Sequence, residues 1–175
     1  NYFNTTEVWL CWSIYSRKYI QSFTNRKILP NGSTIIEDLG QIKTVGDLGC
    51  GCGYTTGYLK EMFPRATVKG TNVPGTIQFK HASELGKRFK FEVTNKVENL
   101  GQCDLIFASE YFEHIINPIE HLEDVIKYCQ PKALIVANSF TSRAIGHFNI
   151  YEHEGKSIPN KKIGRLWNKR LKDFG

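Results

Sequence analysis

Residues 45–53 read VGDLGCGCG, an apolar entry followed by one acid and then three glycines that alternate with cysteines. Glycine at positions 49, 51 and 53 lets the backbone turn tightly after a strand and approach a ligand closely, because glycine lacks a Cβ and accepts positive φ. Cys50 and Cys52 do not make a zinc site, since no second Cys/His pair follows at ligand spacing. A nicotinamide dinucleotide loop would need glycine at position 54, where Tyr54 stands. The stretch therefore predicts a glycine loop of another kind, with Asp47 at its entry.

On both sides of this loop, segments of strand composition alternate with amphipathic helical segments. The predicted strands are 44–48, 66–71, 88–93, 104–109 and 133–139. The predicted helices are 5–23 (capped by Thr5 or Thr6), 34–39 (capped by Ser33), 55–63 (stopped by Pro64), 76–85 (stopped by Gly86), 118–129 (capped by Asn117) and 159–174. Strand, helix and strand joined by short connections predict an α/β fold, a doubly wound and mainly parallel sheet with helices on both faces. Such sheets bind ligands at the carboxyl ends of their strands, which is where the glycine loop falls.

Length and composition limit the class of protein. A chain of 175 residues, 41% hydrophobic and 13% aromatic, is enough for one domain with a buried core. No apolar run approaches the roughly 20 residues that cross a bilayer, and the N-terminal residues lack the basic-then-apolar order of a secretory signal. Five cysteines without framework spacing favour reduced thiols. These features predict a soluble, cytoplasmic protein with no membrane partner, and the missing initiator Met predicts a trimmed N-terminus.

The net charge of +6 is concentrated at the end of the chain. Residues 156–175 contain seven cations against one acid, Asp173, so that the preceding residues balance at zero. The cations are Lys156, Lys161, Lys162, Arg165, Lys169, Arg170 and Lys172. Two interpretations remain open: the cations form the solvated side of an amphipathic helix, or the basic residues 156–172 bind phosphates or nucleic acid.

The stretch at 45–53 resembles motif I of the class I S-adenosylmethionine (SAM) methyltransferases, in which an acid stands two residues before G-x-G-x-G. Further along the chain, ATVKGTNVPG (66–75) resembles the second strand of that family and its tip. CDLIFASEYFEHIINPIEHLEDVIKYCQPKALIVANS (103–139) resembles its fourth strand, the E-H motif, the next helix and the fifth strand. The resemblance implies a class I methyltransferase-like fold, SAM as the cofactor, S-adenosylhomocysteine (SAH) as the product, and an oxygen or nitrogen atom of a small molecule as the acceptor.

The resemblance also implies a set of cofactor-binding residues. Asp47 would pair with the ammonium group of SAM, and the glycine loop would hold its methionine moiety. At the tip of the second strand the family usually has an acid that binds the ribose, whereas this chain has Asn72; an acid is also expected near the adenine, where Asn95 stands. Because an amide lacks the charge of a carboxylate, these two departures predict weaker or altered SAM binding. The implied set is Asp47, Gly49, Cys50, Gly51, Gly53, Asn72, Val73, Asn95, Ser109 and Glu110.

The segment EYFEH places Glu110, Glu113 and His114 directly after the fourth predicted strand, on the rim that would face an acceptor. Three interpretations remain open. In many small-molecule methyltransferases a similar E-H is largely structural, or the histidine lies near the acceptor as a base; the catalytic set would then be His114, Glu113 and His147. In the small-RNA terminal 2′-O-methyltransferases, E-x-x-E-H ligates a divalent metal with a later histidine, here His147 or His153. The R-H…D-H-x-F-E-W signature of those enzymes is absent, so a metal is not the favoured interpretation.

The two ends of the chain complete the comparison with the family. Residues 1–175 are predicted to form a single methyltransferase domain, with an N-terminal helical lid at 1–40 and an α/β core at 41–175. The aromatic lid residues are Tyr2, Phe3, Trp9, Trp12 and Tyr15. The terminal antiparallel strands of the family are missing, and an open sheet edge predicts a homodimer or a partner chain. His81 and His121 are predicted to be ordinary surface residues.

Three functions follow in order of preference. The first is methyl transfer to a small-molecule acceptor. The second is metal-assisted methylation of RNA or a nucleotide, with Glu110, Glu113 and His114 at the metal and the basic residues 156–172 on the phosphates. The third is a non-catalytic module that keeps the SAM-binding fold without the reaction, as Asn72 and Asn95 suggest.

Overall fold

The computed structural model describes residues 11–27 and 29–174. In this part of the chain the helices are α1 (Trp12–Thr24), α2 (Ile35–Leu39), α3 (Tyr54–Met62), α4 (Ile77–Phe89), α5 (Pro118–Cys129) and α6 (Asn160–Phe174). The strands are β1 (Thr44–Leu48), β2 (Thr67–Thr71), β3 (Glu92–Thr94), β4 (Leu105–Ser109), β5 (Ala133–Ala137), β6 (Ile150–His153) and β7 (Lys156–Pro159). Short 3₁₀ turns at Val97–Leu100 and Phe112–His114 flank β4.

The first five strands form one parallel sheet in the order β3-β2-β1-β4-β5. In the central strand, Asp47 lies opposite Gly70 of β2 on one side and Phe107 of β4 on the other. The chain winds outward from β1 to β3 and then returns to the far side of β1 as β4. The carboxyl ends of β1 and β4 therefore flank the point where the winding reverses, and such a point is where these sheets bind ligands. The predicted doubly wound parallel sheet is confirmed.

Helices cover both faces of the sheet. Consecutive side chains of β4 point to opposite faces, so each face of this strand packs against a different set of helices. Leu105 and Phe107 belong to an apolar cluster with residues of α1 and α3. Ile106 and Ala108 belong to a second cluster with residues of α5 and α6. All four side chains are almost completely buried, so the site at the end of β4 stands on a strand that is packed from both sides.

One predicted helix cap and one predicted helix stop are wrong. Thr34, rather than Ser33, caps α2, because Thr34 and Glu37 form a reciprocal capping box and the Ser33 hydroxyl bonds Asn31 instead. Helix α4 also continues through Gly86 to Phe89, so the predicted stop at Gly86 and the strand start at residue 88 are wrong. Glycine at position 86 reflects close packing and not a helix end: a Cβ on Gly86 would lie 2.6 Å from the carbonyl oxygen of Phe91.

An antiparallel hairpin, which the sequence prediction did not include, precedes the last helix. Strands β6 and β7 pair from Ile150 opposite Pro159 to His153 opposite Lys156, as a two-stranded sheet separate from the main one. The turn residues Glu154 and Gly155 both have positive φ, 50° and 69°, as a two-residue hairpin turn requires. Within the described residues β5 is an edge of the main sheet, and dimerisation through an open edge stays a prediction.

Helix α1 packs on the α/β layers. Its Ile20 is fully buried in the same cluster as Leu59 of α3, and its Arg17 pairs with Glu61 of α3 at 2.6 Å. The predicted start of this helix, its caps Thr5 and Thr6 and the lid residues Tyr2, Phe3 and Trp9 lie outside the described residues, as does the Trp12 side chain. None of the helices in residues 11–27 and 29–174 combines the length and the apolar character that a membrane crossing needs.

Candidate functional site

A cavity of about 1080 Å³ opens at the carboxyl edge of the sheet, between the glycine loop and the ends of β2, β3 and β4. Most of the predicted site residues line it: Asp47, Gly49, Cys50, Gly51, Asn72, Val73, Asn95, Ser109, Glu110, His114 and His147. Gly53 and Glu113 are buried and are not among the lining residues, and Tyr15 is exposed and is not among them either. The topology thus brings residues from five separate segments of the sequence to one cavity.

The glycine loop between β1 and α3 is shaped by positive φ at all three glycines, 69° at Gly49, 52° at Gly51 and 87° at Gly53. Two backbone amides tie this loop to the end of β2: the Gly49 N–H donates to the Thr71 hydroxyl at 3.0 Å, and the Cys50 N–H donates to the Thr71 carbonyl at 2.9 Å. The loop closes when the Gly53 N–H donates to the Cys50 carbonyl at 2.8 Å. Other residues would be strained in these conformations, which explains the alternating glycines.

Asp47 reaches the cavity from the buried end of β1. The residue is only 2% exposed, and the Thr56 hydroxyl donates to its Oδ2 at 2.6 Å. Burial raises the pKa of this carboxyl to about 7, against the smaller lowering effect of hydrogen bonds from Thr56 and Thr55. A buried carboxylate is costly without a positive partner, so a cationic ligand group in the cavity would favour the ionised form.

Asn72, at the tip of β2, uses both ends of its amide within the protein. Its Nδ2 donates to the Gly51 carbonyl at 2.6 Å, and its Oδ1 accepts from the Val73 N–H at 2.8 Å. Asn95, in contrast, is exposed, and its Oδ1 accepts from the Asn99 side chain at 3.3 Å. Both residues therefore line the cavity at the positions that the sequence indicated, but Asn72 already has partners on the glycine loop and its own backbone.

The end of β4 presents a hydrogen-bonded pair and a strained acid to the cavity. The Tyr19 hydroxyl of α1 and the Ser109 hydroxyl lie 2.5 Å apart. The next residue, Glu110, has a φ of 50°, a left-handed conformation that a non-glycine residue adopts at an energetic cost. Such strain is found at functional sites more often than elsewhere, and here it accompanies the turn that carries Glu110 onto the cavity wall.

Glu113 is fully buried behind this wall. Its Oε1 accepts from the Ser139 N–H at 3.0 Å, and the Tyr151 hydroxyl donates to its backbone carbonyl at 3.0 Å. Its Oε2 has no hydrogen-bond partner among the described residues. Burial raises the pKa of Glu113, and burial together with the charge of Glu113 raises the pKa of Glu110.

Two histidines face each other beside these acids. The rings of His114 and His147 make an edge contact with their centroids 4.8 Å apart. His114 Nδ1 donates to the Gly146 carbonyl at 3.1 Å, and His147 Nδ1 donates to the Ser142 carbonyl at 3.1 Å, since a carbonyl can only accept. In the neutral form of each ring the lone pair is then on Nε2. Burial lowers the pKa of His114, which favours this neutral form at pH 7.

The structure groups only some of the candidate metal ligands. Carboxylate oxygens of Glu110 and Glu113 and a ring nitrogen of His147 all lie within 4.8 Å of one another. His114 is beside this group but is not part of it. His153 lies elsewhere: its Nδ1 pairs with Glu120 at 2.8 Å, so the alternative with His153 as the fourth ligand is not supported.

Tyr111 and His121 are among the residues of the cavity wall that were not predicted from the sequence. The Tyr111 ring packs so closely on Gly49 that a Cβ there would lie 2.5 Å from it, and its hydroxyl is 2.8 Å from His121 Nε2. His121 is partly buried and lines the cavity, so its prediction as an ordinary surface residue is wrong. For Tyr111, the sequence signal of a place in the site was its position next to Glu110. His121 had none, because its contact depends on how α5 packs.

Comparison with solved structures supports the fold. The chain is similar to coclaurine N-methyltransferase bound to N-methylheliamine and SAH, with 18% identity and a TM-score of 0.52 over 71% of this chain and 35% of that one. It is similar to the N-terminal domain of EvdMO1 with SAH bound, at 14% identity and a TM-score of 0.54 over 83% and 55%. It is also similar to an O-methyltransferase family protein from Burkholderia thailandensis, at 15% identity and a TM-score of 0.52 over 71% and 38%.

These likenesses define the class of fold. The chain has the fold of the class I, Rossmann-like SAM-dependent methyltransferases, in agreement with the resemblance of its motifs. It spans about a third to just over half of the length of the chains it matches. A scan against protein-family models finds no match.

Proposed function

We propose that the protein is a SAM-dependent methyltransferase that acts on an oxygen or nitrogen atom of a small-molecule acceptor. The observation that carries the proposal is the buried Asp47 carboxylate in the cavity wall, beside three glycines with positive φ at the reversal point of the sheet. A raised pKa at this carboxyl indicates that an ammonium group would gain a strong, charge-assisted partner there. The likeness of the fold to methyltransferases supports SAM as the donor of that ammonium group.

The cavity residues fit this cofactor. Gly51 lines the cavity, and a Cβ added to it would meet no atom within 4 Å, so the space beside the loop is open to a ligand. Asn72, Val73 and Asn95 line the next part of the wall, where the ribose and adenine are proposed to bind. When bound, SAM supplies an activated methyl group, so the remaining task of the chain is to orient the acceptor and accept its proton.

On the acceptor side we propose that His114 is the base. It lines the cavity, its Nδ1–H is held by the Gly146 carbonyl, and the neutral ring carries its lone pair on Nε2. His147 lies against its ring and also lines the cavity, where it would orient the acceptor. Glu113 would act as a positioning residue, since its Oε1 holds the Ser139 N–H at the start of the loop that carries His147.

Calorimetric titration of SAH into the protein at pH 8 tests the cofactor part of the proposal. We expect the wild type to bind and Asp47→Asn to bind about 10- to 100-fold more weakly, because a charge-assisted hydrogen bond is lost. Asp38→Asn, which removes an exposed acid of α2, is the matched control and should leave the affinity unchanged. A folded wild type that binds neither SAM nor SAH would contradict the proposal and favour a non-catalytic module.

A second candidate, metal-assisted transfer, is favoured by one specific observation. Glu113 is fully buried, and its Oε2 lacks a partner among the described residues. One of its carboxylate oxygens belongs to the group with Glu110 and His147. Two carboxylates and an imidazole suit a hard or borderline divalent cation, and the Nδ1–H of His147 is already oriented by Ser142 so that Nε2 can ligate. A cation held there would lower the pKa of an acceptor hydroxyl.

Titration with Mn²⁺ alone tests this candidate without any assay of activity. If these residues hold a metal, Glu113→Gln and His147→Gln weaken Mn²⁺ binding at least about tenfold. Glu120→Gln is the matched control, since Glu120 also has a buried carboxylate oxygen without a hydrogen-bond partner but pairs with His153 away from the cluster. Equal Mn²⁺ binding by all four proteins, or none by a wild type that binds SAH, would leave transfer without a metal.

A further inference from the structure

The glycine loop is fastened to the tip of β2 by three hydrogen bonds, and one of them comes from a side chain at the ribose position. The Thr71 hydroxyl and carbonyl accept from the amides of Gly49 and Cys50. The third bond runs in the opposite sense: the Asn72 side chain donates to the Gly51 carbonyl at 2.6 Å. Gly51 lines the cavity, and a Cβ added to it would meet no atom within 4 Å. The hydrogen bond from Asn72 therefore holds the part of the loop that borders the open space of the cavity.

Only an amide of this length can make both bonds of the Asn72 side chain. Its Nδ2 donates to Gly51 while its Oδ1 accepts from the Val73 N–H, and the residue is 9% exposed. An ionised aspartate has two acceptor oxygens and no donor, so one oxygen would face the Gly51 carbonyl without a proton between them. In a mostly buried position, this unpaired contact between two acceptors is destabilising.

We propose that Asn72 is a positioning residue that holds the glycine loop in its ligand-binding conformation, and that a carboxylate at this position would weaken cofactor binding rather than strengthen it. The expected effect on SAH binding rests on the proposed function. The restraint of the glycine loop by Asn72 does not depend on any ligand. It reverses the expectation drawn from the sequence, in which an acid at this position would improve the grip on the ribose. The amide is then part of the loop architecture of this chain and not a weakened ribose ligand.

Two variants that weaken SAH binding to different degrees test the proposal. Asn72→Ala removes both side-chain bonds, whereas Asn72→Asp also places an acceptor against the Gly51 carbonyl. We expect SAH to bind about three- to tenfold more weakly to Asn72→Ala, and more weakly still to Asn72→Asp. Asn168→Asp is the matched control, because Asn168 is exposed on α6 and does not line the cavity. Its affinity should stay within about twofold of the wild type.

Hydrogen exchange of the amides at 51–54, measured without ligand, provides the second readout. We expect faster exchange in both Asn72 variants and unchanged exchange in Asn168→Asp, because only the Asn72 variants remove a hydrogen bond that restrains the loop. If Asn72→Asp does not fold, Asn72→Ala alone decides. An Asn72→Asp protein that binds SAH as tightly as the wild type, or loop exchange that is equal in all variants, overturns the proposal. A wild type that does not bind SAH while the Asn72 variants still loosen the loop would overturn the proposed function alone.

Discussion

Asp47 shows how a single residue can be unfavourable for the fold and useful for the site. Its carboxyl is 2% exposed, receives a hydrogen bond from Thr56 and has its pKa raised to about 7 by burial. An ordinary aspartate in an unfolded chain titrates near 3.8, so the folded protein binds a proton that the unfolded protein releases between these two values. The folded state therefore loses stability as the pH rises from about 4 to about 7, and the full cost is present at pH 8.

Asp47→Asn is expected to raise the melting temperature at pH 8 and to change it much less at pH 5, because the amide removes the buried charge but keeps an oxygen for Thr56. Each pKa unit corresponds to about 1.4 kcal/mol, so a gain of several degrees is expected at pH 8. Thermal melts of both proteins at the two pH values measure this difference. An equal shift at both pH values would show that the effect is one of packing and not of ionisation.

At the scale of secondary structure elements, glycine has opposite roles in two helices. In α4, Gly86 is buried and allows the backbone of Phe91 to approach, which brings β3 alongside. In α6, Gly164 has only ordinary van der Waals neighbours, since an added Cβ would lie 3.7 Å from the Phe140 ring. Only the tertiary surroundings show that glycine is required for packing at position 86 and lowers helix stability without such a need at position 164.

Gly164→Ala is expected to stabilise the protein by about 0.5–1 kcal/mol, because alanine loses less backbone entropy in a helix interior. Gly86→Ala is the matched variant in α4, and it should destabilise by about 1–3 kcal/mol through the contact with the Phe91 carbonyl. Denaturant unfolding of both variants measures the two changes in free energy. Stabilisation by both substitutions would mean that the chain around Phe91 moves aside at no cost.

At the scale of the whole molecule, the net positive charge lies away from the candidate site. The buried side of α6 contributes Ile163 and Trp167 to the core, while its exposed side carries most of the cations near the end of the chain. Arg170 pairs with Glu123 of α5 and is only partly exposed. Among the described residues that line the cavity, none belongs to 156–174. The predicted nucleic-acid contact through 156–172 stays a prediction, and it would act outside the cavity.

We expect affinity for single-stranded RNA to fall as salt rises, and the slope of log affinity against log salt to decrease by about 2 when Lys161, Lys162 and Lys169 are changed to Gln. The control changes the exposed Lys18, Lys43 and Lys80 to Gln and should leave the slope unchanged. SAH binding should be equal in both triple variants, because none of these residues lines the cavity. Equal slopes in both variants would identify the α6 cations as an ordinary solvated face.

Much of the site could be predicted from the sequence because its determinants are local. The glycine loop requires three residues with positive φ directly after a strand, and the E-x-x-E-H segment directly follows another strand. The hairpin at 150–159 also had a local signal, the Glu154-Gly155 turn, although the strands on either side lack a clear alternation of apolar residues. The packing role of Gly86 inside α4 had no such signal, because it depends on a contact with Phe91.

The sequence by itself determined the parallel α/β architecture and the position of the glycine loop at the end of β1, because hydrophobic periodicity and backbone-specific residues act over a few neighbouring positions. Only the tertiary structure decided which polar groups meet. It buried Glu113, paired His153 with Glu120 rather than with the candidate metal cluster, placed His121 against Tyr111 and attached Asn72 to Gly51. These contacts join residues far apart along the chain, so their geometry depends on how strands and helices pack and not on any local pattern.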